Sequence, residues 1–458
     1  MTNFRQPIAI VIAVAFFITA SMPAGVSAIT VQEENELAKE FLQAVHQQYK
    51  IIKDPAIASY INKIGRRIVA ELPQQPFTYH FYVIEQDTYN AFAGPAGHIF
   101  VFSGLFEALD HEGELAALLA HEIAHASCRH ISEMIESSKK TSLGTLAGVV
   151  AGILVGLGGA STVGSAITIG SMAAGESAAL AYTREKEMQA DQIGREYLQE
   201  AGYDLHSMLS LLKTIRSQEW FGTDQIPTYL RTHPATEDRL TYLNNTLSNK
   251  TAPPPKDTYA FKRARIRVSA LYGNPREALR RFQQSVKARP DDPMAHYGYG
   301  LTLERNGNPK AAVEHLEIAH HAYADDPYMT EDLGRVYFLN GDYEKALEFL
   351  KKAAREVKNG PDSRLYLGRT QLAMGRMSAA TETFTRLADA YPDYLPALYF
   401  LGKSYSEQGD PGNAHYYLGL YHMGKQDPKN AAFHFKKALK TITEPEKTKK
   451  INKLMEKL

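Results

Sequence analysis

Two stretches of this 458-residue chain predict helices that carry polar groups among apolar ones. The first is ELAALLAHEIAHASCRH, residues 114–130, with Leu115, Ala116, Leu118 and Leu119 beside three polar side chains. The second spans residues 181–204. It sets Met188, Ile193 and Leu198 on an apolar side and meets a stop signal at Gly202. Residues 78–85 and 98–102 read as strands, the latter after the turn signal Gly94-Pro95-Ala96-Gly97. Residues 141–175 carry no charge and are rich in Gly, Ala, Val and Ile. After residue 257 the pattern changes again, and positions begin to recur at a fixed interval.

Within the first helix lies His121-Glu122-Ile123-Ala124-His125, an H-E-x-x-H sequence. Positions i and i+4 share one helix face, so both imidazoles can reach one metal ion. Glu122 then stands beside the metal, where it can take a proton from a bound water. Hydrolytic zinc sites use three protein ligands and a water, so a third ligand must come from elsewhere. Glu187 and Asp191, four apart on the second helix, are the candidates. Glu187 suits direct ligation, and Asp191 suits accepting the spare N–H of a ligand histidine. With Arg184, Glu185, Lys186 and Arg195 nearby, spacing alone favours a solvated charged helix over ligation.

The two segments together resemble the M48 metallopeptidases. HEIAHASCRH, residues 121–130, is similar to that family's H-E-I-x-H-x-x-x-R-H, and TREKEMQAD, residues 183–191, to its [ST]-R-x-x-E-x-x-A-D. The resemblance extends to NAFAGPAGHIFVFSGL at 90–105 and THPATEDRL at 232–240, and covers about residues 35–245. It implies one zinc ion on His121, His125 and Glu187, with Glu122 as general base. It also implies a histidine, His233, close to the zinc, where a neutral imidazole can occupy the water's position and hold the enzyme latent. Arg239 is the matching candidate for stabilising the oxyanion.

The charge balance is even, with 51 basic and 51 acidic residues, and no basic run interleaved with aromatics suggests nucleic acid as a partner. Arg5, the apolar stretch Ile8–Ala20 and Val26-Ser27-Ala28 fit a secretory signal peptide of residues 1–28, with an uncleaved anchor as the alternative. Cys128 is the only cysteine, so no intrachain disulfide can form; it is expected to be a small buried side chain. Residues 141–175 are expected to form a helical hairpin over the zinc cleft, in peripheral contact with a membrane; the alternative is a membrane span.

Columns recur every 34 residues in the second half. One is Gly273, Gly307, Gly341, Gly375 and Gly409; another is Ala278, Ala312, Ala346, Ala380 and Ala414. A large-residue column, Phe282, Leu316, Leu350, Phe384 and Leu418, accompanies a small one, Gly300, Gly334, Gly368 and Gly402. The period and columns resemble the tetratricopeptide repeat, which implies an α-solenoid that binds segments of other proteins. Tyr297, Tyr337, Tyr366, Tyr399 and Tyr405 either line its concave face or pack inside it. The expected fold is therefore mainly α: a zincin-like α+β metallopeptidase domain with a small sheet (residues 29–250), a Pro-rich linker (251–257), and a separately folded repeat domain (258–444). A basic tail follows (445–458), read as a solvated helix end.

This order resembles bacterial periplasmic M48 proteins. That resemblance implies a zinc endopeptidase acting on unfolded or misassembled proteins in outer-membrane protein quality control. The repeats would recruit clients or outer-membrane assembly machinery. The alternative is a chaperone or assembly scaffold in which the repeats dominate and proteolysis is latent or rare.

Overall fold

A computed structural model describes residues 29–139, 183–217, 228–234, 237–247, 258–357 and 360–458. The expected signal peptide, the 141–175 stretch and the Pro-rich linker lie outside the described residues. The N-terminal domain is built on a three-stranded sheet in the order β1-β3-β2: β1 His80–Ile84, β2 Ala91–Ala93 and β3 His98–Phe102. The central strand runs parallel to β1 and antiparallel to β2, with Val101 opposite both Val83 and Ala91. The Gly94–Gly97 turn joins β2 to β3, with Ala96 and Gly97 at positive φ.

From Ile99 to Phe102 β3 is continuously apolar because both of its faces are covered. Ile99 and Val101 face a core formed with helices α2 (Pro55–Val69) and α4 (Glu112–Ser127). Phe100 and Phe102 face the other way, onto Leu37, Phe41 and Val45 of α1 (Val31–Gln48). The short α3 (Ser103–Ala108) leads from β3 into α4. The remaining helices are α5 (His130–Lys139), α6 (Arg184–Glu200), α7 (His206–Ser217), α8 (Thr228–Thr232) and α9 (Glu237–Leu247).

α4 is pinned in this core despite its polar groups. Its buried Glu114 accepts from Ser210 Oγ at 2.5 Å and Thr214 Oγ1 at 3.0 Å, which satisfies a carboxylate that burial would otherwise penalise. α6 crosses α4 at Gly194, where a Cβ would stand 3.0 Å from Ala120 O and 3.2 Å from His121 Cα. Glycine there allows a close backbone approach; a Cβ would force the α4 backbone to give by a few tenths of an ångström. Asp191 and Glu187 lie three and seven residues earlier, on the same face, and are carried to α4 with it.

The repeat array starts with α10 (Tyr259–Arg267) and continues as helical hairpins. These are α11 (Pro275–Ala288), α12 (Pro293–Arg305), α13 (Pro309–Ala322), α14 (Pro327–Asn340), α15 (Tyr343–Glu356), α16 (Asp362–Ala373), α17 (Met377–Ala390), α18 (Leu395–Glu407), α19 (Pro411–Gly424), α20 (Pro428–Ala438) and α21 (Pro445–Met455). Asn274, Asp292, Asn308, Asp326, Asp410 and Asp427 cap helices that begin with proline, a favoured start. In the small column, a Cβ on Gly300, Gly334, Gly368 or Gly402 would stand 2.5–2.9 Å from the large residue of the facing helix. Of the turn column, Gly307, Gly341, Gly375 and Gly409 hold positive φ. Gly273 instead closes a π-helical turn, Val268–Tyr272.

Two features differ from the sequence-based expectation. The array is not a free module: Phe261 and Ala264 of its first helix, and Val268 at the start of the π-helical turn, belong to the N-terminal domain's own core. Arg267 is buried between the two parts. Its Nη2 donates to Asp54 Oδ2 at 2.6 Å and its Nη1 to Tyr297 Oη at 2.5 Å, and it also pairs with Asp332 of α14. Asp54 itself caps α2 through Ala56 N and Ile57 N. The second difference is the basic tail, which forms α21 and buries Ile451 against Phe435 and Ala431 of α20. Of the five tyrosines, Tyr297 and Tyr337 are buried, Tyr366 and Tyr405 are half-buried, and Tyr399 is exposed. Cys128, at the end of α4, is half-buried. No described helix is long and apolar enough to cross a membrane.

Candidate metal centre

The helical spacing of α4 delivers His121 and His125 to one side, where their Nε2 atoms face each other at 3.1 Å. From α6, Glu187 Oε2 lies 3.6 Å from His121 Nε2, and Oε1 lies 3.3 Å from His125 Nε2. Ligand atoms placed tetrahedrally around zinc at its usual bond lengths stand about 3.3 Å apart. The three separations straddle that value, and all three side chains are buried, so two imidazoles and a carboxylate fit the cation. One ligand atom from each of His121, His125, Glu187 and His233 lies within 4.8 Å of the others.

Each candidate residue is braced by another. Asp191 Oδ1 lies 3.1 Å from His121 Nδ1, the nitrogen that faces away from the cluster. His125 Nδ1 meets His130 Nδ1 at 2.9 Å, and His130 Nε2 meets Gln189 Oε1 at 3.0 Å. Arg239 Nε and Nη2 donate to the two oxygens of Asp191 at 2.6 and 2.8 Å, and Nη1 donates to Glu187 Oε2 at 2.6 Å. Nη1 also donates to the Pro234 carbonyl at 3.0 Å. The oxyanion role expected for Arg239 does not match this placement. Its donors are taken up by protein acceptors, and its single charge is shared between two buried carboxylates instead.

His233 sits opposite the α4 histidines, its Nδ1 2.9 Å from Glu187 Oε1 and its Nε2 3.8 Å from Glu122 Oε1. It follows α8, whose Tyr229 N donates to Tyr89 O at 2.9 Å and thereby ties the segment to the strand region. The Tyr229 ring stacks on His233, with centroids 4.5 Å apart.

The charges interact strongly. Burial pushes the Glu122 carboxyl above its ordinary range, against the pull of His233 and His121. Burial also opposes ionisation of Glu187, yet His233 and Arg239 hold its carboxyl well below the usual carboxylate range. Asp191 is lowered too, with Arg239 overcoming its burial. Burial holds His125 well below the ordinary imidazole value, which favours the neutral form that a metal requires.

All seven residues singled out in the sequence, His121, Glu122, His125, Glu187, Asp191, His233 and Arg239, meet in this one cluster. His130, Gln189 and Tyr229 were not singled out. His130 is the last residue of the 121–130 stretch quoted above. Arg129, at a positive φ of 55°, separates α4 from α5 and turns the chain so that His130 faces back to His125.

Comparison with known proteins agrees with this geometry. Residues 54–247 match peptidase family M48, and residues 273–327, 305–363 and 337–401 match tetratricopeptide repeat families. The chain is 28% identical over 258 residues to the beta-barrel assembly-enhancing protease of Yersinia pestis, covering 55% of this chain and 51% of that protein. It is 27% identical over 253 residues to the protein of the same name from Escherichia coli K12, covering 55% and 52%. It is 26% identical over 215 residues to the mitochondrial metalloendopeptidase OMA1 of Schizosaccharomyces pombe, covering 46% and 60%. The matched stretch thus spans about half the length of the bacterial relatives. The chain carries a peptidase family M48 domain followed by an array of tetratricopeptide repeats.

Proposed function

We propose that this chain is a zinc endopeptidase of the periplasm that acts on unfolded or misassembled proteins during outer-membrane protein assembly. The observation that carries the reading is the convergence of His121 Nε2, His125 Nε2 and the Glu187 carboxylate beside Glu122. Zinc held by those three residues would polarise a scissile carbonyl and acidify a water molecule. Glu122, whose carboxyl burial raises above its ordinary range, takes the water's proton and passes it to the leaving amine. Asp191 and His130 fix the rings of His121 and His125, and Arg239 holds Glu187 and Asp191 ionised without water.

Two relatives carry a name that joins proteolysis to β-barrel assembly, which supports the outer-membrane setting and recruitment of clients or assembly partners by the repeats. One observation favours a latent enzyme, in which scaffolding by the repeats is the routine activity. His233 is buried against Glu187 and reaches toward Glu122, and Tyr229 is stacked behind it.

The experiment is Glu122→Gln in the full chain. The variant should keep its metal, identified as zinc by elemental analysis, and its fold, while losing cleavage of an unfolded protein. Cleavage retained at the wild-type rate would remove the proposed base, and a native metal other than zinc would overturn the cofactor assignment. Rescue of a deletion phenotype by the same variant would favour the scaffold reading.

A further inference from the structure

The chain is electrically neutral as a whole, but its charge is not evenly spread. Residues 425–458 hold ten lysines against four acidic residues, a net of +6 in a chain whose formal net charge is zero. Part of this charge is organised by α20 and the turn after it. Ala431, Phe435 and Ala438 point inward and are fully buried. The outward residues are Lys429, Asn430, Phe433, Lys436, Lys437 and Lys440. Relative to Phe433 these lysines fall at i−4, i+3, i+4 and i+7, the spacing of a single helix face.

No acidic residue occurs between Pro428 and Lys440. Phe433 stands in the middle of the lysines and is 52% exposed, more than any other large hydrophobic among the described residues. Lys437 Nζ lies 5.8 Å from its ring centroid. The neighbouring α21 adds Lys449, Lys450 and Lys453 on its own exposed side. A capping helix needs a polar outer surface for solubility, and mixed charges or neutral polar groups would meet that need. A one-signed stripe with a protruding aromatic at its centre goes further than solubility requires.

We infer that the exposed face of α20 docks the end of the repeat array onto an anionic lipid surface. The lysines would meet headgroup phosphates, and Phe433 would enter the boundary between headgroups and acyl chains. The pattern is that of a helix lying in a membrane interface, with cations flanking an apolar residue and no carboxylate within α20 itself; Asp427 at its cap and Glu444 and Glu446 at the start of α21 are the adjoining acidic residues. A convex helix stripe suits a broad planar surface better than a protein partner, which would need a pocket for its anchor residues. This site shares no residue with the metal centre.

The test uses the full chain in flotation with vesicles of phosphatidylcholine, with and without about one third phosphatidylglycerol. The protein should float with the anionic vesicles only, and binding should weaken as salt is raised. Each lysine removed should cost about fivefold in partition, so Lys436→Ser with Lys437→Ser should lose about 25-fold. Phe433→Trp should show a blue-shifted emission on addition of anionic vesicles, measured in a Trp220→Phe background so that only position 433 reports. These positions are exposed, so the variants should keep the wild-type circular dichroism and peptidase activity. Equal binding to neutral vesicles, undiminished binding of the double variant, or an unshifted tryptophan would each overturn the proposal. Residual binding in the double variant would then belong to another segment, 141–175 included. Retention on immobilised polyglutamate without vesicle binding would replace the lipid with an acidic protein.

Discussion

Arg239 closes a two-pronged grip on Asp191, Nε to Oδ2 and Nη2 to Oδ1, and its third nitrogen reaches Glu187 Oε2. The grip is buried, so Asp191 owes its ionised state chiefly to this guanidinium, while Glu187 owes its own to His233 and Arg239 together. Removing a single partner from a buried ion cluster leaves charges with no solvent to receive them, typically at a cost of about 3–5 kcal/mol. Arg239→Ala should therefore lower the stability of the metal-free protein by about that amount in urea unfolding, and should weaken metal binding as well. Arg239→Lys should recover little, because an ammonium group cannot reproduce the fork. An alanine variant with an unchanged urea midpoint and unchanged metal affinity would contradict this role.

His130 presents a different dependence. For His125 to offer Nε2 to a cation, its proton must sit on Nδ1. His130 must then accept at its own Nδ1 and donate from Nε2 to Gln189 Oε1. Losing the partner of a ligand histidine commonly costs 10–100-fold in metal affinity. His130→Ala should weaken zinc binding by about that factor in chelator competition, with the helical signal unchanged. Gln189→Ala should weaken it less, being one bond further away. Equal affinity in wild type and His130→Ala would show that the ring of His125 is held by packing alone.

The position of His233 bears on control. Its bond to Glu187 and its stacking on Tyr229 hold it among the proposed ligands, with Nε2 3.8 Å from Glu122 Oε1. A hydrogen bond to a charged group is worth enough to alter an open–closed balance on the order of tenfold. His233→Ala should raise cleavage of an unfolded protein, and self-cleavage, by about that factor. Wild-type rates in both assays would remove the latch.

Away from the metal centre, Glu331 at the start of α14 is buried and its carboxyl is pushed up to about 8, first by burial and then by Asp332. The unfolded carboxyl titrates near the ordinary 4.5. The folded state thus binds its proton more tightly. Stability is unaffected below the unfolded value, is lost as pH rises toward 8, and levels off above that. Glu331→Gln should leave the Tm unchanged near pH 4 and raise it progressively up to about pH 8. A Tm difference that stays constant across this range would refute the assignment.

Much of the metal centre was legible because helical periodicity alone places His121 with His125 and Glu187 with Asp191. Spacing could not choose between ligation and a solvated face for the second pair. That choice depends on Gly194, which lets α6 approach the backbone of His121. His130 and Tyr229 carry no periodic signal, since one follows a left-handed break at Arg129 and the other sits on a five-residue helix. The repeats were legible as columns, because the same small–large contacts recur in each hairpin. Their attachment to the first domain was not. Burying Phe261, Ala264 and Val268 against another domain leaves the 34-residue register unchanged, and Arg267 reads as one more basic residue on a basic helix.

That attachment bears on how the protein matures. A chain emerging from its N-terminus has delivered every metal-centre residue by Arg239, yet the core beneath α4 still lacks Phe261, Ala264 and Val268. Asp54, at the head of α2, likewise waits for Arg267. The hydrolytic half is completed only when the first repeat arrives, so a product truncated before it would have an unfilled core and an unpaired carboxylate. The chain therefore couples the completion of its N-terminal core to possession of the first repeat helix.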